Sequence, residues 1–181
     1  STRFPDGLGN DNGLLGKYVC FHNYRASVSG EMEGFKDQYY YGRNPTEPIL
    51  ANYRNLHKQD TDYVGGFTTF MGSYRTRVDE SLTEETIGAA YKAALTEPGG
   101  WKVYMYMQGE TIPKEANHVR LSKDETDQWG IPLLITSVGY DDNDDKMVKD
   151  FLEQGKAMLE SAGATITYEY DNHQAPGLDI H

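Results

Sequence analysis

The groups able to do chemistry in this 181-residue chain are few and scattered. Five histidines, His22, His57, His118, His173 and His181, include no pair spaced one helical turn apart and none with His/Cys zinc spacing, so no metal site is expected. Cys20 is the only cysteine, which excludes an intrachain disulfide and a thiolate cage; between Val19 and Phe21 it reads as a packed thiol. There is no Gly-x-Ser-x-Gly nucleophile elbow and no phosphate loop. The glycines of Pro5-Asp6-Gly7-Leu8-Gly9-Asn10-Asp11-Asn12-Gly13 lack the preceding strand that a dinucleotide fingerprint requires, and the stretch reads as a surface loop. The acidic run Asp141-Asp142-Asn143-Asp144-Asp145 lacks the glycine and distal glutamate of a calcium loop and reads as a solvated helix entrance. By residue chemistry alone His181 is an ordinary terminal histidine.

What positions these groups is a folded chain with 38% hydrophobic residues and 14 tyrosines. Its net charge of -11 repels phosphate backbones and anionic bilayers, so nucleic acid is not an expected partner. No apolar run reaches the roughly 20 residues that span a bilayer. A soluble protein is expected, with cytoplasm and periplasm both open and the oligomeric state unspecified.

Strands are expected over Tyr18 to Met32, Gly66 to Tyr74, Lys102 to Gln108, Asn117 to Leu121, Leu133 to Val138 and Thr165 to Tyr170. The third alternates cleanly, with Val103, Met105 and Met107 on one face and Tyr104 and Tyr106 on the other. Counting by two along the last puts Ile166, Tyr168 and Tyr170 on one face. Ser81 and Glu84 form a capping box before a helical stripe of Ile87, Ala90, Tyr91, Ala94 and Leu95. A longer helix starts near Asp141 or Asn143, carries Met147, Val148, Phe151, Leu152, Met158 and Leu159 on one side, and ends at Gly163. Asp37 to Asp62 is an irregular excursion, long enough to suspect function. Two helices among short strands predict an α+β fold: an antiparallel sheet of about five to six strands with helices packed on one face. The other face, carrying aromatic side chains, is left for another domain, a ligand or a partner.

The ordered segment Gly109-Glu110-Thr111-Ile112-Pro113 through Asn117-His118-Val119-Arg120-Leu121-Ser122, then Asp127 and Gly130-Ile131-Pro132, resembles a stretch of the glucose-methanol-choline oxidoreductases. Phe4-Pro5-Asp6-Gly7-Leu8-Gly9 to Gly16, followed by His22, is similar to that family's exit from its flavin domain, although Phe21 replaces the acidic member of the usual Asp-His pair. Ala175-Pro176-Gly177-Leu178-Asp179-Ile180-His181 resembles the approach to the catalytic histidine in the pyranose oxidase and sugar dehydrogenase branch. Together these cover nearly the whole chain.

The resemblance implies that residues 1–181 are one substrate-binding domain, a fragment of a larger FAD enzyme whose Rossmann-like domain is absent from this sequence. No cofactor-binding residue is expected in the fragment, and the isolated chain is expected to be inactive. His181 would be the catalytic base, accepting a hydroxyl proton while the alcohol carbon gives a hydride to flavin N5; imidazole, titrating near neutrality, suits that role. Tyr106, Tyr104 and Asp179 are the implied substrate contacts, with a sugar or polyol as substrate. For the tyrosines, plain packing against the missing FAD domain remains open. The alternative function is a free-standing carbohydrate-binding or adaptor module that uses the aromatic sheet face.

Overall fold

A computed structural model describes residues 3–5, 7–38, 47–76, 87–96 and 99–172. In chain order the elements are β1 (His22–Asn23), β2 (Ala26–Met32), β3 (Ile49–Leu50), β4 (Phe67–Arg75), α1 (Gly88–Thr96), β5 (Trp101–Glu110), β6 (His118–Thr126), β7 (Pro132–Ser137), α2 (Asp142–Ser161) and β8 (Ala164–Asp171). The fold is α+β. A six-stranded antiparallel sheet runs β3-β4-β5-β2-β8 with β1 beside β5, and β6 and β7 form a separate two-stranded ribbon. The sequence reading counts β6 and β7 among the strands of one sheet; their partners are each other, and the six places are filled by adding the short strands β1 and β3.

One face of the sheet makes the core. Ala26 and Val28 of β2, Phe67 of β4, Met105 and Met107 of β5 and Ala164 of β8 bury against Met147, Val148, Phe151 and Leu159 of α2. The spacing of those helix residues puts them on one stripe, and alternation on the strands supplies the matching surface. The close approach is allowed by Gly155, where a Cβ would come within 2.8 Å of Val28 Cγ1. Arg25, almost fully buried, pairs with Asp145 of α2 and, at 3.0 Å, with Asp171 of β8, so the helix start and the edge strand share one anchor. Its guanidinium also lies 4.7 Å from the Tyr140 ring centroid.

The expected start of α2 is observed in detail. Asp141 is the N-cap, accepting from the Asn143 and Asp144 amides, and Asp144 returns the bond to the Asp141 amide, a reciprocal capping box. Asp144 is buried, and loss of solvation lifts its carboxyl to about 6, while Lys114 beside Asp141 holds the latter below the usual range. A folded-state pKa above the unfolded value means that between about pH 4 and 6 the folded chain keeps a proton the unfolded chain has released. This contribution is therefore full below about pH 4 and lost as pH rises through 6. Asp144→Asn, which mimics the protonated form, should gain stability relative to the unsubstituted protein by roughly 1–3 kcal/mol between pH 4 and pH 7 in urea titrations. A pH-independent difference would count against a buried, late-titrating Asp144.

Several local expectations are corrected. The strand expected from Tyr18 begins only at His22, because Tyr18 takes a left-handed φ of 56° that interrupts extension, and β1 and β2 are broken between Asn23 and Ala26. Cys20 is exposed rather than packed, since it lies in that irregular lead-in. The apolar stripe on α1 forms, but α1 buries no residue, and Ile87, Tyr91 and Leu95 are exposed. A stripe marks which side of a helix is apolar and not what covers it. The capping box at Ser81 and Glu84 lies outside the described residues.

The largest difference is in β8. Ser29 faces Tyr168 but Gly30 faces Ile166, so Thr167 is an extra residue in the ladder. This bulge breaks the period of two: Ile166 joins the core, while Tyr168 and Tyr170 turn to the opposite, open face. Gly30 is what lets the strands meet there, because a Cβ at this position would lie 2.5 Å from the Thr165 carbonyl oxygen.

Candidate functional site

The open face is the side of the sheet that α2 does not cover, and alternation delivers aromatic residues to it from several strands. β5 gives Tyr104 and Tyr106, β4 gives Phe70 and Tyr74, β8 gives Tyr168 and Tyr170, and Tyr24 adds a ring from the approach to β2. Phe70 and Tyr106 stack with centroids 5.1 Å apart, Tyr104 and Tyr106 lie nearly parallel at 6.3 Å, and Tyr24 meets Tyr106 edge to face at 5.2 Å. Each such pair adds about 0.5–1.5 kcal/mol beyond area burial. The platform is therefore held in place although it is incompletely covered. Tyr168 and Tyr170, stacked at 6.0 Å, remain exposed.

Between the two tyrosine pairs runs a trough. Ser27 sits opposite Tyr106 on one side and Tyr170 on the other, and Ser29 sits between Tyr104 and Tyr168 in the same way. The small serines form the floor and the rings form the walls of a cavity of about 500 Å³. Its size and its mix of ring faces and hydroxyls suit a small polar organic molecule.

A carboxylate lies at the edge of this platform. Tyr104 Oη donates to Glu47 Oε1 at 2.8 Å, and Tyr106 Oη donates to Glu47 Oε2. The chain delivers Glu47 there by short pairing: β3 lies against Thr69 and Phe70, and the Met71 amide donates to the Pro48 carbonyl at 3.1 Å. The bond to Glu47, with added desolvation, raises the Tyr104 pKa; burial first, then the bonds to Glu47 and Tyr24, raises that of Tyr106. Both phenols thus stay protonated donors in neutral solution. Gly72 makes the reach possible, because the Tyr104 ring crosses β4 at a point where a Cβ would stand 2.5 Å from Tyr104 Oη. Gly72→Ala should displace the ring and return Tyr104 toward the ordinary tyrosine value of about 10, seen as one fewer late-titrating group in an ultraviolet pH titration.

Of the implied site residues, Tyr104 and Tyr106 are brought together on this face, whereas Asp179 and His181 lie outside the described residues. Sequence reasoning missed Glu47, Tyr24, Phe70 and the serine floor. One signal pointed to Glu47: it falls inside the Asp37 to Asp62 excursion, whose length already marks it for function. The histidines His22 and His57 are exposed and His118 is half-buried, with its Nδ1 2.8 Å from the Ala116 carbonyl oxygen, a local contact.

No family model matches the chain. Among characterised proteins, it is 28% identical over 151 residues to a 2-methyl-1,2-propanediol dehydrogenase of Mycolicibacterium austroafricanum, an alignment covering 77% of this chain and 26% of the relative. The similarity is to an oxidoreductase. The chain spans about a quarter of the length of that dehydrogenase. No helix among the described residues is long and apolar enough to cross a membrane.

Proposed function

We propose that this chain is the substrate-binding domain of an FAD-dependent oxidoreductase of the glucose-methanol-choline type, which oxidises a CH-OH group of a sugar or polyol. The observation that carries the reading is the open aromatic face, with Tyr104 and Tyr106 fixed on Glu47 beside a trough of about 500 Å³. A dehydrogenase whose name specifies a diol substrate, similar over 77% of this chain, supports the same reaction class.

FAD, when bound, would supply the hydride acceptor at its N5. The described strands pair only antiparallel, and a dinucleotide is held by a parallel strand-helix-strand unit, so these residues fit the alcohol side of such a site and not the nucleotide side. In this reading Tyr104, Tyr106 and Asp179 orient the alcohol, and His181 takes its hydroxyl proton as the carbon loses a hydride and the C=O bond forms. Orientation falls to the sheet because its side chains are fixed by ladder pairing and stacking.

The test is the visible spectrum of the purified full-length protein. Flavin absorbance that bleaches on anaerobic addition of a polyol is the expected result. A protein without flavin, and unable to take up added FAD, would overturn the proposal. The trough between the tyrosine pairs also favours a second reading, a carbohydrate-binding or adaptor module. Saturable sugar binding by a protein that never carries flavin would select it.

A further inference from the structure

The walls and the floor of the trough offer different groups to a ligand. Phe70 and Tyr106, 5.1 Å apart and within 6° of parallel, overlap face to face, which leaves the opposite face of Tyr106 turned across β2; Tyr104 is parallel to it within 8°. The hydroxyl protons of both tyrosines are directed to Glu47 on the β4 side of the platform, so this wall gives the trough ring surface rather than donors. The floor is polar. Ser27 and Ser29, half-buried, line the trough, and among the described residues neither hydroxyl has a hydrogen-bond partner. Other serines of the fold close on nearby backbone: Ser122 Oγ accepts from the Asp124 and Glu125 amides, and Ser161 Oγ donates to the Ala157 carbonyl oxygen. Each floor hydroxyl therefore keeps a proton to donate and lone pairs with which to accept.

Their spacing selects what they can hold together. β2 keeps unbroken register with β5 through both serines, so the two side chains stand two residues apart on one face, a separation of about 6.5 Å. A single oxygen midway between them would lie about 3.3 Å from each, outside the roughly 2.5–3.0 Å of an O–H···O bond. Two oxygens carried by adjacent or next-but-one carbons can each reach one serine. The geometry points to Ser27 and Ser29 as a paired binding site for a diol unit, a 1,2- or 1,3-diol whose hydroxyls rest on the floor and whose hydrocarbon flank lies against the face of Tyr106. This rests on the reading of the open face as the alcohol site, and it adds a substrate class and two residues outside the segments of family resemblance. The assignment concerns binding and holds whichever hydroxyl is oxidised.

The test titrates full-length protein carrying labelled tyrosines with propan-1-ol, propan-2-ol, propane-1,2-diol and propane-1,3-diol, following the ring shifts of Tyr106 and Tyr170. This readout needs neither flavin nor turnover. In the unsubstituted protein both diols should bind roughly two- to tenfold tighter than either mono-ol, the effect of one further hydrogen bond. Ser27→Ala and Ser29→Ala keep the floor small and remove one hydroxyl each. Either substitution alone should bring the diols level with the mono-ols, because the pair is broken, while mono-ol binding changes by about twofold or less. A floor that serves only to leave room for the rings is indifferent to alanine. A diol preference that survives both single substitutions, or no diol preference in the unsubstituted protein, overturns the inference. Absence of flavin from a protein with the serine-dependent preference would sink the redox reading alone, while a flavin-loaded protein whose preference ignores both serines would sink this one alone.

Discussion

Replacing His181 by alanine in the full-length, flavin-loaded protein should lower kcat by roughly 10²–10⁴-fold, the range typical of losing a positioned general base. The flavin spectrum should be unaltered, because the residue is assigned to the alcohol and not to holding the cofactor. The acid limb of the pH profile carries the same information. In the proposed role only the neutral imidazole can accept the proton, so kcat/KM should fall on the acid side in the unsubstituted enzyme, and that limb should vanish in the variant. His57, on the exposed surface of the segment before β4, is the control: His57→Ala should keep full activity. A loss under tenfold at His181 would remove it from proton transfer, leaving the oxidoreductase class to be judged by the flavin spectrum.

The second large effect is on stability. Phe151 is buried at the centre of α2, and its ring meets Phe67 of β4 edge to face, 5.7 Å between centroids at 86°. Phe151→Ala removes the ring and leaves a cavity between helix and sheet, at a cost of about 3–5 kcal/mol. Set against a total stability of roughly 5–15 kcal/mol, this takes much of the margin. Denaturant unfolding should show a lower midpoint with an unchanged slope. A cost below about 1 kcal/mol would mean that α2 is not the principal cover of the sheet. The functional consequence is indirect: β2, β4 and β5 carry the core on one face and the tyrosine platform on the other, so loosening the α2 contact loosens both.

The elements most legible in the sequence are those whose evidence is local. The acidic cap at Asp141, the spacing of Met147, Val148, Phe151 and Leu159, and Gly163 together define α2, and the structure agrees at both ends. β5 was readable for the same reason, since five alternating residues state which face is which. Three things were not readable. Thr167 looks like any strand residue, and only the pairing with Ser29 and Gly30 reveals that it is extra. β6 and β7 have good strand sequences, but nothing local says that they pair with each other rather than with the main sheet. Glu47 lies 57 and 59 residues from the tyrosines it joins, so its role depends wholly on topology. On the candidate site, Tyr104 and Tyr106 were reached through alternation and resemblance together, whereas Asp179 and His181 rest on resemblance.

The bulge at Thr167 ties the open face to strand register. Ile166, Tyr168 and Tyr170 share one parity in the sequence and yet stand on two faces, because the extra residue shifts the frame between them. Deleting Thr167 would close the ladder and keep Tyr168 opposite Ser29 and Tyr170 opposite Ser27, so the wall would stand without its bulge. Taking Thr167 into the pairing instead, opposite Ser29, would slip the rest of β8 by one place, turn both tyrosines to the side packed by α2, and swing Glu169, now paired with Lys156 of that helix, outward. Substituting one tyrosine trims the wall by a single ring; a one-place slip removes it whole.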